Sequence, residues 1–292
     1  MGRGSILMSK KYHIAMLWVE GPLSYVEQLC VQSFLDAGHD VTLYHYGPVD
    51  RVPEGAAVVH GDTILKRDNF IQHSRTSSLA LFSDVFRYHL LTKSEKTIWA
   101  DTDAYCMKPF ETKTGHYYGW ESDHHINGGV LGLPPDSAAL AGMLKMTEDE
   151  YGIPFWYSDG AKAKLTARAE AGTPVHVGDL PWGVWGPHAV TAYVHKTGED
   201  KYAFPKEVLY PIPFQARRRM VKARRLESAQ SYLTDNTTSI HLYGRRIRQF
   251  LASRPDGMPD EGGLIDHLLK KHKIDPRDAP IPVKAEAQQA AE

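Results

Sequence analysis

Asp101 and Asp103, separated by Thr102, are the side chains whose types and spacing point most directly to chemistry. They follow the apolar run Thr97-Ile98-Trp99-Ala100, which reads as a strand. In an α/β sheet, ligands bind in the crevice past the carboxyl ends of the strands. Two carboxylates leaving a strand two residues apart can converge on one hard cation. Mg²⁺ or Mn²⁺ takes such oxygens and keeps positions open for phosphate oxygens. An Asp-x-Asp alone is equally what a solvated loop or a helix-capping pair would show. Upstream, Asp84 and Arg87 stand at i and i+3 and share a helix face. That face is distinct from the buried stripe set by Leu79, Phe82, Phe86 and Leu90. Such a pair is either a surface ion pair worth about a few tenths of a kcal/mol or a hydroxyl acceptor beside a phosphate-binding guanidinium.

The surrounding elements have to position these groups. Residues 12 to 19 form a short apolar run, read as a buried parallel strand ended by Gly21 and Pro22. Helical spacing follows from Leu23 to Ala37. Ser24 and Glu27 give a capping box and Gly38 a left-handed cap. Val41 to Tyr44 is a second strand, which completes a βαβ unit. Residues 45 to 76 read as loop, punctuated by Gly47-Pro48, Pro53 and Gly61. Further strands are expected near Tyr117 to Trp120, Gly129 to Leu133 and Ser239 to Tyr243. Helices are expected over Ser137 to Asp149, 161 to 171, Pro187 to Tyr193 and Leu264 to Lys271, the last after a Pro/Gly-rich linker, Ser253 to Gly263. No internal repeat is visible. The reading is one α/β domain over residues 10–272, with a mostly parallel, Rossmann-like sheet flanked by helices. Residues 273–292 read as a disordered tail and 1–9 as a cloning remnant.

Composition narrows the classes. The formal net charge of -1 argues against a general nucleic-acid binder. Two cysteines, Cys30 and Cys106, make no disulfide framework and suit a reducing cytoplasm. No stretch reaches the roughly 20 apolar residues of a membrane-spanning helix. Any membrane contact would therefore be peripheral, at the inner face. The basic run Arg217-Arg218-Arg219, Lys222, Arg224-Arg225 reads as a solvated helix face. Its functional alternative is a patch for anionic lipid headgroups or a charged glycan.

Taken together, Ser83-Asp84-Val85-Phe86-Arg87-Tyr88, then Ile98-Trp99-Ala100-Asp101-Thr102-Asp103, then Lys108-Pro109-Phe110 resemble the DXD sugar-binding glycosyltransferases. These include α-mannosyltransferases, α-1,4-galactosyltransferases and the clostridial glucosylating toxins. The similarity covers residues 77 to 133. It departs from the family at Ser94-Glu95-Lys96-Thr97, where relatives often carry Gly-Gly-x-Tyr. The resemblance implies a glycosyltransferase A-type fold, a nucleotide-sugar donor, Mn²⁺ or Mg²⁺, and retention of configuration. It implies Asp103 as a direct metal ligand, with Asp101 on the metal or the donor ribose. Asp84 and Arg87 would hold the donor sugar and diphosphate, with Ser83 beside them.

Two further segments enter through the same resemblance. Asn127-Gly128-Gly129-Val130 is similar to a strand lining the donor sugar, or is a simple turn. Ile240-His241-Leu242-Tyr243-Gly244 is similar to a late strand whose histidine completes the metal site. Arg245 or Arg246 would then clamp the diphosphate, with Arg248 a looser match. Arg87 and Asn127 are the catalytic candidates, and no nucleophile is identifiable. Trp18 either stacks on the nucleotide base or packs in the core, and Tyr44 is the other candidate near the base. Gly186-Pro187 through Thr191 resembles an acceptor-side segment. Trp182 and Trp185 before it would stack on a sugar or fill a core loop. The acceptor would be a saccharide or glycolipid.

Two other functions remain open. A nucleotidyltransferase usually has a glycine-rich loop after its first strand, but Glu20-Gly21-Pro22-Leu23-Ser24 has too few glycines. A non-catalytic nucleotide-sugar or carbohydrate-binding protein would not need the full set of acidic and basic groups.

Overall fold

The structure, a computed structural model, describes residues 11–66 and 70–283. The expected remnant at 1–9 lies outside the described residues. In chain order the first elements are β1 (His13–Leu17), β2 (Gly21–Pro22), α1 (Tyr25–Asp36), β3 (Val41–His45), β4 (Val49–Asp50), β5 (Ala57–His60) and α2 (Ala80–Lys93). Next come β6 (Thr97–Ala100), β7 (Ala104–Cys106), β8 (Tyr117–Trp120), β9 (Ile126–Gly132), α3 (Ala138–Met146), α4 (Asp159–Glu170) and α5 (Pro187–Thr197). The last are α6 (Lys206–Leu209), α7 (Leu226–Gln230), β10 (Ser239–His241), α8 (Gly244–Leu251) and α9 (Leu264–Lys271).

The central sheet has the order β5-β3-β1-β6-β9-β8. β5, β3, β1 and β6 are parallel, whereas β9 runs antiparallel to β6 and to β8. The chain moves from β1 outward through β3 to β5, then returns to lay β6 on the other side of β1. The connections leaving β1 and β6 therefore diverge, which opens a crevice at their carboxyl ends. Trp18 follows β1 and Asp101 follows β6 at that point.

Side-chain alternation along β1 sorts the two layers. Ile14 and Met16 pack with Val31 and Phe34 of α1, while Ala15 packs with Phe82 and Phe86 of α2. The predicted α1 forms, with Ser24 as N-cap and the capping box complete. Ser24 Oγ accepts from the Val26 N–H at 3.3 Å, and Glu27 Oε2 accepts from the Ser24 N–H at 3.0 Å. Gly38 follows with φ +80°, the left-handed conformation that glycine adopts without penalty.

Several expectations are corrected. The loop-rich reading of 45 to 76 missed β4 and β5. β5 is an exposed edge strand, so Ala57–His60 shows no apolar alternation. β7, which pairs antiparallel with β10, was also missed. The basic run is not a helix face. It lies on short 3-10 turns, Phe214–Met220 and Ala223–Arg225. Four of its six cations settle on aromatic rings, Arg217 on Phe214, Arg218 and Lys222 on Phe250, Arg219 on Tyr232, while Arg224 and Arg225 are exposed as expected. The tail reading fails for residues 273–283. There Ala279 and Ile281 are buried, and the Ala279 carbonyl accepts from the Tyr25 N–H at 2.9 Å. Residues 284–292 lie outside the described residues. Among the described residues, no helix is long and apolar enough to cross a membrane.

Ser24→Ala should cost about 1 kcal/mol of stability, read as a lower urea midpoint at an unchanged slope. An unchanged midpoint would show that the cap adds nothing beyond the burial of Glu27.

Candidate functional site

Local folding brings Asp101 and Asp103 to the crevice. After β6 the chain reverses in one turn, closed by the Ala104 N–H donating to the Asp101 carbonyl at 2.9 Å, and enters β7. β10 pairs with β7 so that His241 faces Ala104, and the Leu242 N–H donates to the Asp103 carbonyl at 2.8 Å. Tyr243 then takes a left-handed conformation, φ 54° and ψ 49°, and the chain turns at once into α8. A non-glycine residue in this region is strained, and the Tyr243 hydroxyl is tied down by donating to the Ile212 carbonyl at 2.9 Å. The turn aims the first N–H of α8, that of Gly244, at Asp103 Oδ2, 2.7 Å away. Asp103 thus faces a helix N-terminus, where negative charge is favoured.

Asp103 Oδ2 also lies 3.5 Å from His241 Nε2. Asp103 Oδ1 and His241 Nδ1 are both buried and lack a partner. Buried polar atoms are almost always satisfied, so this pair fits an additional ligand. One carboxylate oxygen and one imidazole are an acceptable start for Mn²⁺, which would draw its remaining ligands from phosphate and water. Asp101 divides its two oxygens, with Oδ2 on the same side of Gly129 as His241. Its Oδ1 is turned away, accepting from Trp99 Nε1 at 2.8 Å and facing Arg87 Nη2 at 3.3 Å. Among the described residues, no group of three His, Cys, Asp or Glu side chains is assembled in metal-binding range.

Arg87 is the centre of a second cluster. Both faces of α2 are buried, so Asp84 and Arg87 are not a surface ion pair. Arg87 Nη2 contacts Asp84 Oδ1 at 3.2 Å and donates to Ser83 Oγ at 3.1 Å. Its Nη1 donates to the Gly128 carbonyl at 2.5 Å, and the guanidinium stands over the Trp99 ring at 4.9 Å. Burial pushes the Asp84 carboxyl up to about 7; Arg87 pulls against this and Asp101 adds to it. Asp101 is raised as well, first by burial and then, against the pull of Arg87, by Asp103. For Arg87 itself burial disfavours the charge, but Asp101 and Asp84 outweigh it and its pKa is raised.

β9 completes the floor. The Asp101 N–H donates to the Gly129 carbonyl at 2.7 Å. Asn127 Oδ1 accepts from the Gly129 N–H at 2.6 Å, and Asn127 Nδ2 donates to Glu121 Oε2 at 3.0 Å. A Cβ on Gly129 would come within 3.1 Å of Asn127 and Asp101 and 3.2 Å of His241. Glycine there lets three site side chains meet over bare backbone. Gly186, before α5, approaches Asp84 in the same way, at 3.0 Å.

A cleft of about 360 Å³ collects Trp18, Ser83, Arg87, Asp101, Asp103 and Arg245 along its wall. Trp18 is partly buried, donates from Nε1 to the Gly21 carbonyl at 3.1 Å and carries Arg248 over its ring at 5.4 Å. Arg248 is anchored by the fully buried Glu27. Arg245 stacks on the exposed Trp182 at 5.2 Å. Asp84 lies beneath this wall, while Gly128 and Asn127 reach it through Arg87 and Gly129. Tyr44 is half-buried against Phe86, and its carbonyl accepts from the Trp18 N–H at 2.9 Å; it is not on the cleft wall itself. Trp185 is 3% exposed and its carbonyl accepts from Tyr88, so it is core and no sugar platform. Phe110 is buried against Phe34, and Lys108 binds the Asp235 carbonyl. The sequence reading missed Trp99, although Trp99 and Asp101 are two residues apart on a chain leaving a strand and so share a side. It also missed Glu121, Tyr210 and the Glu27–Arg248 pair, which only tertiary packing brings near the site.

Asp84 carries a pH consequence. Its pKa in the fold lies above the ordinary value of 3.8. Below pH 4 the group is protonated whether folded or not, and its stabilising contribution is complete. As pH rises from 4 to 7 the unfolded chain releases this proton more readily than the fold does, so stability is lost. Asp84→Asn should flatten this pH dependence: whatever fixed offset the loss of an Arg87 partner causes, the stability difference from wild type should move in the variant's favour by on the order of 2–4 kcal/mol between pH 4.5 and 7.5. A stability difference between the two proteins that stays constant with pH would contradict it.

No protein-family model and no curated protein matches the chain. Among solved structures, the chain is similar to the PaToxG glycosyltransferase, at 12% identity and TM-score 0.40, over 65% of this chain and 69% of that one. It is also similar to mouse xyloside xylosyltransferase 1 in its apo form, at 11% and 0.37, over 79% and 96%. A third similarity is to the apo structure of the bifunctional glycosyltransferase WbbM, at 9% and 0.29, where this chain matches only 46% of the larger protein.

Proposed function

We propose that the chain is a metal-dependent glycosyltransferase of the A-type fold. It would move a hexose from a UDP- or GDP-sugar to a hydroxyl acceptor with retention of configuration. One observation carries the reading. The cleft at the β1/β6 switch point is walled by Arg87, Asp101, Asp103 and Arg245, with His241 3.5 Å from Asp103. A nucleoside diphosphate-sugar needs such a meeting of cation-binding carboxylate, fixed guanidinium and aromatic wall.

Asp103 and His241 would hold the Mn²⁺ or Mg²⁺, whose chemistry is to neutralise the charge that builds on the departing diphosphate. Arg245 and Arg248, on the first turn of α8 and beyond, add positive charge from the protein side. Arg87 is held by Asp84, Asp101, the Gly128 carbonyl, the Trp99 ring and both the hydroxyl and the carbonyl of Ser83, so it would present its guanidinium without reorganising during reaction. Trp18 offers its ring to the base. Ser83 and Asp101, both on the cleft wall, would meet the ribose and sugar hydroxyls. Asn127 is fixed by Gly129 and Glu121 and keeps the β9 backbone open beneath the sugar. The metal-assisted leaving group makes a general acid unnecessary, unlike in a glycosidase.

A non-catalytic nucleotide-sugar-binding protein is the second reading. It is favoured by the internal partners that Asp101 and Asp103 already have, Arg87 and the Gly244 N–H. A thermal-shift series with UDP and GDP, with and without Mn²⁺, followed by donor turnover separates the two. The enzyme should show metal-dependent stabilisation and release of nucleoside diphosphate. Binding without release would select the second reading. Asp103→Asn should lower turnover by at least about 100-fold while leaving the far-UV spectrum unchanged. Full turnover with Mn²⁺ in that variant would remove Asp103 from the site.

A further inference from the structure

A second concavity, of about 540 Å³, lies on the side of His241 where Tyr210 packs. Glu121, Lys206, Tyr210, Phe214, Gln215 and Tyr232 line it. Its size falls within the range of small-ligand sites. Apolar ring surface alternates with charged and amide groups around the wall. Phe214 is one of the few large apolar side chains left exposed, at 40%. Singly exposed apolar residues need no explanation, but Phe214 is fixed edge-on to Tyr243 at 5.3 Å, with Arg217 at 3.8 Å from its ring centre.

This concavity shares a wall with the candidate metal pair. Tyr210, on its lining, lies 5.7 Å from the His241 ring, and its hydroxyl accepts from the Val130 N–H at 3.0 Å. Tyr243, against which Phe214 packs, lies 4.5 Å from the His241 ring. Glu121, also on the lining, holds Asn127 Nδ2 and faces the Tyr243 phenol. The carboxylate of Glu121 therefore stands between the concavity and the β9 backbone under the donor cleft. Trp182, another exposed aromatic ring, is already engaged by Arg245 and His73.

We infer that this concavity binds the acceptor as a saccharide, with Phe214 against the C–H face of a sugar ring and Glu121 accepting from a sugar hydroxyl. The inference rests on the glycosyltransferase reading and names the acceptor class and its seat. A polyhydroxylated ring presents both surfaces the wall offers, apolar C–H faces and hydroxyl donors. Its hydroxyl next to Glu121 would lie toward the donor side, across Asn127.

The test separates the two claims. Methyl α- and β-glycosides of glucose, galactose and mannose are the probes, added at millimolar concentration. Three quantities are read: nucleoside diphosphate release without glycoside, glycosylated product with it, and ligand-observed NMR contact of each glycoside in the absence of donor. In wild type at least one glycoside should give product and NMR contact. Phe214→Ala should raise the KM for that glycoside by about tenfold, the size expected for one lost aromatic contact. Its release without glycoside and its stabilisation by nucleoside diphosphate should stay within about twofold of wild type on the same scale. Phe214→Tyr should restore the KM, which excludes a merely structural effect. An unchanged KM in Phe214→Ala, or loss of basal release along with transfer, would overturn the seat. Wild type that releases nucleoside diphosphate yet glycosylates and contacts no glycoside would overturn the saccharide class. Wild type with no response to any nucleoside diphosphate would refute the donor reading first, and the acceptor with it.

Discussion

One buried cation holds the functional half of this molecule together. Arg87 projects from α2 into a site where water is nearly excluded, and its charge is balanced by Asp84 from the same helix and Asp101 at the end of β6. Its remaining donors reach Ser83 and the Gly128 carbonyl. An unpaired guanidinium there would be prohibitively costly, and removing one partner of a buried pair is among the most damaging changes a fold can suffer. Helix α2, strand β6 and strand β9 are therefore tied to one another by charge as well as by packing. The tie is asymmetric, because two carboxylates compete for one guanidinium. Burial sets the cost of that competition, and Asp84, the deeper of the two, bears it as a raised pKa.

The same tie explains why the cleft is rigid where it would touch a ligand. Asp101 is held by Trp99 and Arg87, Asn127 by Gly129 and Glu121, Arg248 by Glu27. Some of these partners share the cleft wall, as Trp99 and Arg87 do with Asp101, and others, such as Glu27, stand behind it. Such support is what keeps a site within the tolerance that chemistry demands. The glycines at 128, 129 and 186 belong to this arrangement, since any side chain there would occupy space now filled by Arg87, Asp101 or Asp84.

Local patterns carried most of what could be read from the sequence. The βαβ start, the capping box of Ser24 and Glu27, α2 and the strand before Asp101 all follow from periodicity or cap chemistry within a dozen residues. The spacing of Asp84, Arg87, Asp101 and Asp103 was enough to place them near one crevice. Burial decided what could not be read. Trp182 and Trp185 are three residues apart and alike in type, yet one is exposed and the other is core. β5 shows no alternation because both its faces are open. Residues 273–283 look like a tail because their few docking residues, Ile274, Ala279 and Ile281, are spaced without period and join a core built by α1, α8 and α9. Cations 217 to 222 looked like a solvent-facing helix because pattern alone does not reveal aromatic partners such as Phe250 and Tyr232.

The pairing of β7 with β10 has a consequence for how the molecule comes into being. Asp103 meets its helix N-terminus across 141 residues of intervening chain. Contacts of such long range are late and slow to form, because loop closure must precede any gain from them. A chain growing on the ribosome would complete β1, α1, α2 and β6, with Arg87 already paired, well before His241 exists. The Arg87 side of the crevice is thus encoded early in the chain and the His241 side near its end, so the cleft closes only when the last third of the chain has been made.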